Sequence, residues 1–261
     1  MSLRWRAALA IAALLVFATA SLAVAEVVQK GTIIVDVSGS MKPKTLPRKG
    51  SSPISVSVGG HIKTTKGAPT PRLTTLKIEL NRSGIIDTKG LPICPYDQIQ
   101  PASTSRALSN CRSALVGRGS FTAEIALEGQ EAYDAKGEML AFNGVENGKP
   151  VLYGQIYSPR PFATSFVIVF KVKKLGKGTF GTALDAVLPK TLGTWGKLTG
   201  IDLTLSRTFK GAGQKRSYLS AGCPAPKGFT KVSFSLARTT FGFEGGKKLA
   251  TTLSRTCNAR G

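Results

Sequence analysis

The sequence predicts an all-β fold: an antiparallel two-sheet sandwich, with jelly-roll connections as one version of it, about a dozen strands and one short helix. Two observations carry that prediction. Apolar and polar residues alternate with a period of two in nearly every segment after residue 31, which puts one side of an extended chain in a core and the other in water. The runs are also short. Their punctuation is glycine, proline, asparagine and aspartate, and 29 Gly with 14 Pro leave few stretches that a helix can use.

Taken in order, "GTIIVDVSGSMKPK" opens with a strand over 32–37 and ends in a polar turn. "PISVSVGGHIKT" sets Ile54, Val56 and Val58 against serines, and "LTTLKIELNRSG" sets Leu76, Ile78 and Leu80 against Lys77 and Glu79. "GSFTAEIALEG" places Phe121, Ala123, Ile125 and Leu127 on one face. "EMLAFNGVENGKPVLYGQIYS" is two strands around Asn147-Gly148, a hairpin signal because both residues tolerate positive φ. "TSFVIVFKVKK" is continuously apolar at first and suits a central strand covered on both sides. "GTFGTALDAVLP", "GKLTGIDLTLSRTF" and "RSYLSAG" continue the pattern, and "VSFSLARTTFGFEGGKKLATTLSRT" closes the chain as a hairpin through Gly245-Gly246. The helix is "STSRALSNC", with Ser103 or Thr104 available as its N-cap. Nothing resembles an interdomain linker, so residues 26–261 read as one domain.

Residues 1–25 carry Arg4 and Arg6, then "AALAIAALLVF", then Ala23-Val24-Ala25. A basic start, a short apolar stretch and small residues at an exit describe a secretory signal peptide cleaved near Ala25. The expected location is outside the cytoplasm, secreted or in the cell envelope, with no membrane span after cleavage. Four cysteines agree with export: Cys94, Cys111, Cys223 and Cys257. Four allow three pairings. Proximity favours Cys94–Cys111 and Cys223–Cys257, because each pair brackets one substructure. Zinc is disfavoured, since no C-x2-C occurs and His61 is the only histidine.

The chain carries 36 Lys and Arg against 14 Asp and Glu, a net charge of +22. Removing Arg4 and Arg6 leaves 34 against 14, or +20. A charge of that size attracts anionic cell-wall or extracellular polymers at long range. The basic residues come as short groups, "KPKTLPRK", "KVKKLGKG", "KGAGQKR" and "GGKK", most of which read as turns. No helix-turn-helix, finger or aromatic RNA-binding motif accompanies them, so specific nucleic-acid recognition is not expected.

Asp36, Ser38 and Ser40 spell D-x-S-x-S, which resembles the metal-ion-dependent adhesion site of von Willebrand factor A domains. That site leads into a long helix, whereas here Pro43, Pro47, Gly50 and Pro53 follow. The resemblance is set aside, and no metal or other cofactor is expected. A second resemblance is broader. "LTTLKIELNRSGIIDTKGLPIC", "CRSALVGRGSF", "TSFVIVF" and "RSYLSAGCPAPKGF" are similar to phrases of a family of uncharacterised secreted bacterial β-rich proteins. It implies export and a β-rich fold, and no activity.

Catalytic groups are sparse. A Ser-His-Asp arrangement could form only around His61, which reads as a turn histidine. Glu79, Glu124, Asp185 and Asp202 are the carboxylates on apparent strands, each at a polar phase where solvation is the ordinary explanation. Trp195, Tyr153, Tyr157 and Tyr218 are the aromatics a sugar-binding platform would use. No catalytic residue is assigned. Two functions stand: an exported, non-enzymatic β protein held electrostatically to anionic polymers, and, as the alternative, a carbohydrate-binding module or carboxylate-pair glycosidase.

Overall fold

The computed structural model describes residues 25–160, 163–188, 196–211 and 213–261. The signal peptide lies outside them apart from Ala25, and so does Trp195. The described chain is predominantly β, with eighteen strands in chain order. Where the sequence predicts two stacked sheets, hydrogen bonding runs unbroken through thirteen strands.

One half of this sheet contains, side by side, β1 (Glu26–Lys30), β2 (Ile33–Lys42), β5 (Ser55–Thr64), β13 (Gly196–Leu205), β8 (Leu115–Ile125) and β9 (Tyr133–Glu146). The other half continues with β10 (Lys149–Ser158), β11 (Thr164–Lys174), β12 (Phe180–Val187), β6 (Leu73–Asn81), β17 (Lys231–Phe243), β18 (Lys248–Arg260) and β3 (Thr45–Pro47). All pairings are antiparallel except β3 with β18. The run from β8 to β12 is a meander whose tightest turn is Asn147-Gly148, with φ of 49° and 73°, the positive values a two-residue hairpin requires.

The sheet curls until its ends meet. Phe241 on β17 lies against Gly60 on β5, where a Cβ would stand 3.4 Å from the ring. Leu253 on β18 lies closer still over Gly39 on β2, at 3.0 Å by the same measure. Arg255 of β18 donates to the Gly39 carbonyl at 2.6 Å and pairs with Glu26 of β1 at 2.7 Å. The alternating apolar residues of both halves fill the space between, including Val35, Ile62, Phe121, Ile168, Leu184 and Leu253. Burying each Leu or Phe stabilises by about 1.5–3 kcal/mol.

A three-stranded sheet of β4 (Ser52–Pro53), β16 (Leu219–Ala221) and β7 (Gly84–Ile86) packs on this core. The outer face of β9, β10 and β11 carries a second core. Leu140, Phe142, Tyr153 and Val167 are covered there by Cys94, Ile99 and Ala107. β11 is therefore covered on both faces along its first half, as its apolar run anticipates. The covering segment holds the one α-helix of the described residues, α1 (Thr104–Cys111), capped by Ser103, whose hydroxyl accepts from the Arg106 amide at 3.3 Å. Disulfides Cys94–Cys111 and Cys223–Cys257 are present. "GLPIC" is not a strand; Cys94 instead donates its amide to the Asn143 carbonyl.

Candidate functional site

Asp36, Ser38 and Ser40 do not form a turn. β2 runs on to Lys42, and the three side chains alternate with buried Val35, Val37, Gly39 and Met41. They point from the outer face because their polar phase continues the strand. Asp36 is bound by Lys63 at 2.5 Å. His61 is likewise inside a strand, on the same face of β5. Register places it between Asp36 of β2 and Gly200 of β13. Its Nε2 lies 3.2 Å from Asp202 Oδ1, and Ser38 and Asp202 both lean over Gly59, where a Cβ would stand 2.7 and 2.5 Å from them. The structure thus unites three residues that the sequence offers separately.

This cluster is half open to water, with side-chain exposures of 38% for His61 and 53% for Asp202. It has the members of a triad without the order of one, since His61 bonds Asp202 and no hydrogen bond among the described residues joins Ser38 to His61. Among the described residues, no group of three or more His, Cys, Asp or Glu converges for a metal.

The other carboxylates are held apart by cations. Glu79 is gripped by Arg238 and Lys77, Glu124 by Thr70 and Lys197, and Asp185 by Lys173. Tyr153 and Tyr218 are core residues with 1% and 0% exposure, so neither presents a ring to a sugar. Tyr157, half-buried, pairs with Ser165 across β10 and β11. "KVKK" is not a turn: Lys171 and Lys173 belong to β11 and flank a surface groove of about 540 Å³.

A group of basic residues lies elsewhere, on and around the ribbon β14 (Thr208–Gly211) and β15 (Gln214–Ser217). Here Lys210 stands directly opposite Lys215. Like charges in that position destabilise a ribbon. The backbone of Lys89 lies against Gly211, and Arg207 reaches the Ser113 carbonyl beside Arg112. The sole ion pair on the ribbon among the described residues joins Arg216 to Asp87 at 2.7 Å. Lys89, Arg112, Lys210 and Lys215 are all exposed and have no carboxylate partner among the described residues. "KGAGQKR" marks this group in the sequence, but only the register shows that its lysines face each other.

Acids gather at the far end. Glu124 faces Asp134 across β8 and β9, with Glu128, Glu131 and Glu138 close by in the chain. The ribbon follows the end of β13 that pairs with the start of β8, whereas the acids surround the end of β8. Eleven residues of β8 separate the two ends, or about 36 Å at a strand's rise per residue.

Comparison with family models, with curated proteins and with solved structures finds no match to this chain.

Proposed function

We propose that this is an exported, non-enzymatic β protein that associates with anionic cell-wall or extracellular polymers, and that the β14–β15 ribbon leads the contact. The observation that supports this reading is the Lys210–Lys215 pair. Two lysines occupy directly opposed positions of the ribbon, and neither has a carboxylate partner among the described residues. An anion lying across both relieves that repulsion, and the large net positive charge draws the polymer in at long range. Export rests on residues 1–25 and on two disulfides, which suit an oxidising compartment. No helix of the described residues is long and apolar enough to cross a membrane.

The test is retention on purified anionic wall polymer between 0.1 and 1 M salt, over which the Debye length falls from about 10 Å to about 3 Å. Wild type should elute progressively, with little preference among polyanions of similar charge density. Lys210→Gln with Lys215→Gln should elute at clearly lower salt than a variant losing the same charge at Lys30 and Lys136. Equal loss from both variants would leave net charge as the only attraction and remove the ribbon's role. Retention that survives high salt, or that favours a neutral glycan, would support the carbohydrate module instead.

A further inference from the structure

Protein interiors hold few voids larger than a water molecule. Between the two walls of the curled sheet lie two adjoining cavities of about 60 and 80 Å³, both lined by Val58, Ile78 and Ala237. The larger reaches the small three-stranded sheet, where Ile85 lines it and is 48% exposed, marking a way in. Its walls are almost entirely apolar.

The polar side chains at its rim are mostly occupied. Asn81 donates to the Ser235 carbonyl and accepts from the Ser83 amide and hydroxyl. Tyr218 is different. It lines the larger cavity, is fully buried, and its hydroxyl has no partner among the described residues. A buried phenol leaves a donor unmet at real cost unless something in the cavity accepts from it.

The geometry points to a binding site for a thin aliphatic chain bearing one uncharged oxygen, such as an alcohol or ester, which accepts from Tyr218 while its methylenes fill the voids. Size limits the chain's length: the two voids together are no larger than the 150 Å³ apolar cavity that takes one benzene ring, so they suit a short chain of about four carbons. The oxygen is uncharged because no cation lines the cavity, and a carboxylate buried there would stay unpaired. This site lies inside the sheet and is independent of the cationic ribbon.

The experiment uses butanol with the mature protein, read by methyl NMR. Saturable shifts at Val58, Ile78 and Ala237 are expected. Tyr218→Phe keeps the ring and removes the donor, so butanol should bind about five-fold more weakly, the loss of one ordinary hydrogen bond, while pentane is unaffected. Ala237→Leu fills the space shared by both voids and should abolish binding, with circular dichroism confirming the fold. No shift in wild type would overturn the proposal and leave the voids as packing defects. Unchanged butanol affinity in Tyr218→Phe would overturn the role of the hydroxyl and assign it to a water. If Ala237→Leu fails to fold, wild type and Tyr218→Phe decide the matter.

Discussion

Glu79 is only 5% exposed on β6, yet two cations reach it from the solvent side. Arg238 donates to it at 2.6 Å and lies 4.9 Å over the Phe180 ring, and Lys77 sits at 3.1 Å. The Arg238 hydrogen bond holds the carboxyl below its ordinary 4.5, outweighing burial, which pushes it up; Lys77 adds to the lowering. A lowered folded value means that ionised Glu79 stabilises fully above the unfolded value. That contribution is lost as acid carries pH down through the folded one. Arg238→Ala should cost about 1–2 kcal/mol near neutral pH, below a fully buried charged hydrogen bond because the arginine is half exposed. Its acid unfolding should begin at higher pH than in wild type. Urea denaturation from neutral pH to pH 3 measures both. Tyr153 shifts the other way: burial, then Glu146 and Tyr96, push its phenol up to about 12, so it stays neutral well into alkali.

Among the elements, hairpins are the most local and were the easiest to foresee. Asn147-Gly148 and Gly245-Gly246 sit where the chain reverses, and all four have positive φ. The segment 91–114 behaves differently, since it contains no strand and owes its place to packing and to Cys94–Cys111, which closes 17 residues. Cys94→Ser with Cys111→Ser should lose about 3 kcal/mol on the chain-entropy account. Hydrogen exchange should rise first in 91–114, where Cys94 bonds Asn143 and Asn110 bonds the Gln98 carbonyl. β17 and β18 should change little, because Cys223–Cys257 still anchors them. Uniform acceleration would show that the segment is part of one cooperative core.

Closure of the whole molecule depends on few groups. β1 joins the sheet through β2 alone, and Arg255 ties it across to β18. Arg255 is 17% exposed at its side chain and Glu26 is 25% exposed, so this ion pair is shielded more than a surface one. Arg255→Ala should cost about 2 kcal/mol, the range of charged hydrogen bonds in partly buried settings. Amide exchange in β1 should quicken while β10 and β11 hold. At the same scale, the proposed lead of the β14–β15 ribbon in contacting a polyanion is what the paired lysine variants test.

The strand character, the hairpin turns, the Ser103 cap and the double covering of β11 were legible in the sequence because each depends on neighbours within a few residues. The period of two says which side of a strand is apolar and is the same whichever strand lies alongside. Partner choice is therefore absent from it. Only the tertiary structure decided that thirteen strands share one curled sheet, that His61 meets Asp202 across 141 positions, and that β2 extends through Ser38 and Ser40. It also decided that Lys210 faces Lys215 and that Tyr218 is left with an empty-handed hydroxyl in an apolar cavity. Each of these follows from register between segments distant in the chain, and register is set by the packing of whole faces, which no single segment contains.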